Sequence, residues 1–174
     1  MTLQATFAAT LVDEWVRAGV TDAVVSPGSR STPLALALAT EGRLRTHVIL
    51  DERSAGFFAL GLGMASSRPA VVLTTSGTAA AELHPALVEA SQARVPMLVC
   101  TADRPADLHS VTAPQTIVQR ELFGAAVRWF AEPGVVDGVP RSIWRSLASR
   151  AFAEATSGLA GPLPLQQTAN SDLH

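Results

Sequence analysis

The sequence predicts an α/β fold, a parallel sheet with helices on both faces. Three observations carry that expectation. The strand candidates, such as AVVL and PMLVC, are short and apolar, which suits strands buried on both faces. Segments of helical periodicity separate them, so each strand returns to the sheet through a crossover. No internal repeat, low-complexity tract or linker divides the 174 residues, and 48% apolar content at that length suffices for a single buried core.

Taken in order, residues 4–18 carry apolar side chains at helical spacing and stop at Gly19, a C-terminal cap. Residues 22–26 read as the first strand, and 31–39 as a helix with Pro33 tolerated in its first turn. The second strand falls at 47–50 and the next helix at 52–65. A strand at 70–74, a helix over about 78–92 and a strand at 96–101 follow. A polar, proline-containing stretch at 102–114 leads to a short helix near 115–123, a fifth strand at 127–130 and a long helix at 140–156. Right-handed crossovers place every strand-to-helix loop on the carboxyl edge of the sheet, where such folds bind ligands.

Composition narrows the function. The single cysteine, Cys100, rules out an intramolecular disulfide and fits a reducing, cytoplasmic location. No apolar run approaches the roughly 20 residues of a membrane span, and no signal pattern opens the chain. A formal charge of -2 does not suggest nucleic acid as the main partner. All 13 basic residues are arginine, which excludes a Walker phosphate loop and Schiff-base chemistry from this chain. Every cation is therefore a planar fork suited to carboxylates. Histidines 47, 84, 109 and 174 lack ligand spacing, so no metal site is expected on this chain alone.

The carboxyl-edge loops are polar throughout. They read Pro27-Gly28-Ser29-Arg30-Ser31, Asp51-Glu52-Arg53, Thr74-Thr75-Ser76-Gly77-Thr78 and Ala102-Asp103-Arg104-Pro105. Each has a plain reading. Ser29 or Ser31 can cap a helix, Glu52 can complement a dipole, Ser76 and Thr78 can cap, and Asp103 with Arg104 can be a solvated pair. Their convergence on one edge favours a site for an anionic ligand.

The blocks SPGSRSTPL, DERSAGFFALGLG, TTSGTAAAELHPALVEA and TADRP…APQTIVQRELFG resemble, in order and spacing, a known family. It is the N-terminal, pyrimidine-binding domain of the menaquinone-pathway SEPHCHC synthases (MenD), thiamine-diphosphate enzymes. The likeness runs from about residue 5 to residue 165. It implies a Rossmann-like three-layer domain over residues 1–165 and a disordered tail over 166–174, with the central and diphosphate-binding domains absent. Thr112-Ala113-Pro114-Gln115 replaces the family's Gly-Ala-Asn-Gln, Glu82 stands where asparagine is common, and GPLPLQQTANSDLH begins like the closing strand but lacks its arginine-containing ending.

The resemblance also implies a reaction: decarboxylation of 2-oxoglutarate on thiamine diphosphate and addition of the succinyl unit to isochorismate. It implies Glu52 as the catalytic carboxyl against the aminopyrimidine, with Pro27 and Thr78 beside that ring. Ser29, Arg30, Arg104 and Gln115 are implied to contact substrate carboxylates. The diphosphate and Mg2+ are implied to sit on a domain missing from this chain, contributed by a neighbouring subunit. A homo-oligomer, dimer or tetramer, is therefore expected, and the isolated 174 residues are expected to be inactive. The apolar stretch FFALGLGMA suits a subunit contact, although a core helix looks the same. Arg94, at a helix end, suits either a dipole partner or a regulatory anion pocket for a downstream aromatic acid. Two alternatives stay open: another thiamine-diphosphate decarboxylase, whose first loop would be more apolar, and a non-catalytic interaction module, which would not need Glu52 and Arg30. A nucleotide-binding domain would want a G-x-G-x-x-G turn after the first strand, and none is present.

Overall fold

The computed structural model describes residues 2–109, 111–138, 140–157 and 161–168. Helix α1, Leu3–Ala18, starts at Thr2, whose hydroxyl accepts from the Ala5 amide at 3.2 Å, and stops at Gly19 with φ 113°. Strand β1 is Asp22–Val25, α2 is Thr32–Thr40, β2 is Arg45–Val48 and α3 is Glu52–Ser66. There follow β3, Ala70–Thr74; α4, Thr78–Ala81; α5, His84–Ala93; β4, Met97–Asp103; α6, Trp144–Thr156; and β5, Pro162–Thr168.

The five strands are all parallel and run in the order β2-β1-β3-β4-β5. The predicted architecture is the one observed. Alternate strand residues feed two cores, one on each face. Ala23, Val25, Leu73, Leu98 and Cys100 face α1, α2 and α6; Val24, Val72, Met97 and Val99 face α3 and α5. On the first face Phe7 meets Trp144 edge-on with ring centroids 5.2 Å apart, and the buried Trp15 indole donates to the Ala148 carbonyl at 3.2 Å. Cys100 is buried, and burial pushes its thiol up to about 12. On the second face Gly56 sits against Ala86 so closely that a Cβ there would lie 2.9 Å from the Ala86 Cβ, which lets α3 and α5 pack tightly.

Several sequence expectations differ from what folds. The helix expected over 78–92 is two, α4 and α5, because Pro85 supplies no amide hydrogen to continue the ladder. The helix expected near 115–123 is a run of turns, since Gln115 and Glu121 adopt φ 55° and 54°, incompatible with a continuous right-handed helix. Residues 127–130 form no strand. The last helix opens with a 3-10 turn, Arg141–Ile143, before α6. The fifth strand is Pro162–Thr168, whose two prolines are tolerated because β5 lies at the sheet's edge. Its backbone pairing runs through Thr168, past the expected boundary at 165, while residues 169–174 lie outside the described residues. Among the described residues no helix is long and apolar enough to cross a membrane.

At the amino end of the sheet, Asp22 is 4% exposed and accepts from Arg45 at 2.7 and 2.9 Å and from Thr21 at 2.9 Å, with His47 Nε2 at 3.0 Å. This clamp also fixes the register of β1 on β2, Asp22 facing Arg45. Burial by itself would raise the carboxyl's pKa, but the hydrogen bonds from Arg45, His47 and Thr21 together outweigh it and bring it from 3.8 to about 2. A lowered carboxyl pKa stabilises the fold at pH above the unfolded value and loses that contribution as pH falls through the folded one. Asp22 thus contributes about 2 kcal/mol above pH 4 that disappears toward pH 2. Urea unfolding of wild type and Asp22→Asn at pH 6, 4 and 2.5 checks this: the gap between them should be widest at pH 6 and clearly narrower at the lowest pH.

Candidate functional site

Strand β1 is a switch point. One crossover leaves it toward β2 and another brings β3 to its opposite side, so a crevice opens between the carboxyl ends of β1 and β3. Ser26 closes its floor. It donates its hydroxyl to the Ile49 carbonyl at 2.9 Å and its amide to the Leu73 carbonyl at 2.8 Å, tying together the ends of three strands. Gly28 then passes so close to Thr75 that a Cβ would fall 2.4 Å from the Thr75 Cβ. Only glycine admits that approach. The segment Ser29–Ser31 makes one 3-10 turn, and Ser31 donates its hydroxyl to the Gly28 carbonyl at 2.9 Å instead of capping α2.

At the start of α3, two adjacent carboxylates do different work. Asp51 is the cap, accepting from the amides of Arg53 and Ser54 at 3.0 and 3.2 Å and from the Arg53 guanidinium at 2.6 Å. The Arg53 hydrogen bond, chiefly, holds its pKa down to about 2. Glu52 is half-buried, lines the crevice and makes no hydrogen bond or ion pair among the described residues. Asp51 thus takes the cap, and Glu52, in the first turn, complements the helix dipole while its carboxyl stays without a hydrogen-bonding partner among the described residues.

The third wall is the turn between β3 and α4. Thr75 is buried, and its hydroxyl lacks a partner among the described residues. Ser76 donates to the Gln115 carbonyl at 2.8 Å. Gly77 has φ 81° and ψ -141°, a conformation open essentially to glycine, and Thr78 begins α4. From the end of β4, the buried Asp103 accepts from the Arg104 amide at 2.7 Å. Arg104 Nη2 donates to the Pro114 carbonyl at 3.1 Å, while its buried Nε has no partner among the described residues. His109 Nε2 lies 2.9 Å from the Arg104 carbonyl and 3.6 Å from Asp103.

The resulting cavity, about 520 Å3, brings Pro27, Ser29, Glu52, Thr78 and Gln115 into one lining, with Asp51, Arg53 and Glu82 on its rim. Arg30 is not part of the lining but donates to Gln115 Oε1, and so reaches the site's edge. Arg104 stands behind Pro114, outside the lining. Pro114 cannot supply a side-chain amide, yet its carbonyl serves as the acceptor that holds Arg104. Thr112 adopts φ 55°, where glycine would sit without strain. Arg94 lies elsewhere. It ends α5 with φ 56°, next to β4's amino end, and lines a separate cavity of about 400 Å3 with Gly63, Met64 and Pro96. Among the described residues, no three His, Cys, Asp or Glu side chains are grouped to hold a metal.

The sequence left two features of this site unassigned. The close contact of Gly28 with Thr75 was signalled only by a glycine in a strand-end turn. Gln119 reads in the sequence as one more polar residue of a helix, but it is 3% exposed. Its side chain accepts from the Gly77 amide at 2.7 Å and donates to the Ala102 carbonyl at 2.9 Å.

A switch-point crevice, a free glutamate at a helix start and a glycine-bearing third turn define a cofactor-binding α/β domain. Residues 5–123 match the family described as thiamine pyrophosphate enzyme, N-terminal TPP binding domain, and the chain belongs to that family. It is similar to three curated proteins, each named 2-succinyl-5-enolpyruvyl-6-hydroxy-3-cyclohexene-1-carboxylate synthase. With that of Thermobifida fusca it is 54% identical over 157 residues, covering 89% of this chain and 28% of the relative. With that of Bacillus velezensis it is 49% identical over 168 residues, covering 93% and 29%. With that of Geobacillus kaustophilus it is 51% identical over 160 residues, covering 90% and 28%. The chain thus spans less than a third of the length of these relatives.

Proposed function

We propose that this chain is the pyrimidine-binding part of a SEPHCHC synthase, which decarboxylates 2-oxoglutarate and transfers the succinyl unit to isochorismate. The observation that carries this reading is the half-buried Glu52 carboxyl, uncommitted among the described residues, in a crevice shared with Pro27 and Thr78. Thiamine diphosphate, when bound, supplies a thiazolium carbon that stabilises the charge left by decarboxylation. Glu52 would hold a proton against the pyrimidine ring, with Pro27 and Thr78 flanking that ring. The free carboxyl fits this group: a ring nitrogen would give Glu52 the partner that the described residues do not.

Substrate carboxylates would be held by Ser29, Arg30, Gln115 and Arg104. Arg104, outside the cavity lining, would take part by giving up the Pro114 carbonyl that its Nη2 now holds. The diphosphate and Mg2+ would be held outside this chain by a domain of a second subunit in a cytoplasmic homo-oligomer. The exposure of Phe57, Phe58 and Met64 on α3 supports such an assembly. Only Ala55, Gly56, Ala59, Leu60 and Gly63 of that helix are buried in the domain itself.

A domain graft tests the proposal. This chain replaces the matching segment of the Thermobifida fusca protein, and the product is assayed with thiamine diphosphate, Mg2+, 2-oxoglutarate and isochorismate. Turnover by the graft and none by the 174-residue chain alone is the expected result. A folded graft that turns over pyruvate instead, or nothing, overturns it, as does turnover by the isolated chain.

A further inference from the structure

The segment between β4 and the 3-10 turn Gly124–Ala126 contains no α-helix or strand among the described residues, yet it carries Gln115 to the crevice. Its hold on the sheet is therefore made by individual side chains. Three contacts reach Gln115 or its neighbour: Ser76 to the Gln115 carbonyl, Arg30 to the Gln115 side chain and Arg104 to the Pro114 carbonyl. Arg30 and Arg104 are the groups assigned to substrate, so they are poor anchors, since a bound carboxylate would compete for them.

Gln119, unlike the two arginines, is buried and is not assigned to substrate. It is 3% exposed, and its carboxamide is used at both ends, the oxygen on Gly77 and the nitrogen on Ala102. One side chain thereby joins the turn after β3 to the end of β4, four residues beyond Gln115. Gly77 is also the residue against which the Gln115 backbone rests, since a Cβ on Gly77 would lie 2.9 Å from Gln115 Cα and carbonyl carbon.

We propose that Gln119 is a positioning residue for Gln115, setting the height of the loop over the crevice and so the fit of the carboxylate substrate. This rests on the synthase reading above. The turn after β3 is held independently by the parallel ladder and by α4, whereas the loop has no ladder of its own. Loss of the carboxamide should therefore displace the loop and spare the cofactor turn.

The test uses the graft described above. Gln119→Met removes both hydrogen bonds at similar volume. Gln119→Glu keeps the acceptor for the Gly77 amide and loses the donor for the Ala102 carbonyl. The expected result is a rise in KM for 2-oxoglutarate or isochorismate of about tenfold or more in Gln119→Met and also in Gln119→Glu, whose carboxylate would oppose the Ala102 carbonyl. The kcat should stay within about threefold and thiamine diphosphate affinity within about twofold. Hydrogen exchange adds a readout independent of turnover: amides of 112–119 should exchange faster in Gln119→Met, with β1, β3 and β4 unchanged. Unchanged KM in both variants of an active graft overturns the proposal. So does a uniform loss of cofactor affinity, kcat and melting temperature, which would mark a merely structural role. If Gln119→Met does not fold, Gln119→Glu decides by the same KM criterion. If the unmutated graft itself gives no turnover, the synthase reading fails, and unchanged exchange in 112–119 then overturns the positioning role separately.

Discussion

Glu52→Gln in the graft should lower kcat by at least about 100-fold, the low end of what a positioned acid-base group contributes. The amide matches the carboxyl in size but cannot give or take the proton the proposed role requires. Its structural cost should be small, because Glu52 makes no hydrogen bond or ion pair among the described residues. Asp51 makes the reciprocal control. Removing it strips the α3 cap from the Arg53 and Ser54 amides, so Asp51→Ala should lower the melting temperature. Steady-state kinetics with thermal denaturation on both variants separates the two carboxylates. A Glu52→Gln enzyme with near-normal kcat would remove the residue from the chemistry.

Gly77→Ala should destabilise the domain by about 3 kcal/mol, through two costs in one substitution. Its φ of 81° and ψ of -141° lie where a side chain is strained. The new methyl would also meet the Gln115 backbone at 2.9 Å, and backbone cannot swing aside as a flexible side-chain tip can. For a domain of 174 residues this corresponds to a melting temperature lower by roughly 10 °C. Because the collision is with Gln115, substrate KM should rise in the same variant. Differential scanning calorimetry and kinetics check both, and a change under 2 °C would show that the turn relaxes freely.

The sheet could be read from the chain because runs such as Ala70–Thr74 and Met97–Asp103 are buried on both faces and need no polar alternation. Edge strands gave weaker signals. Strand β2 has no fully buried residue and is fixed by Asp22 pairing with Arg45, so its bounds moved from 47–50 to Arg45–Val48. Strand β5 carries prolines that argue against a central strand; only its likeness to a family's closing segment pointed to it. The split between α4 and α5 was legible in Pro85 alone. In the site, the polar loops could be grouped because strand-to-helix loops share one edge, whereas Glu52, Thr78 and Gln115 were singled out by the family resemblance. Gln119 could not be found that way. Its partners are 42 and 17 residues away, and a lone glutamine gives no periodic sign of burial.

The crevice beside β1 exists because the chain crosses to one side of that strand to form β2 and then to the other side to form β3. Ser29 and Gln115, both exposed on its rim, support none of that routing. If Ser29 and Gln115 hold substrate as proposed, preference on this scaffold can drift through substitutions there at little thermodynamic expense. Changes at Ser26, Gly28 or Gly77 would instead alter the architecture that every such preference shares.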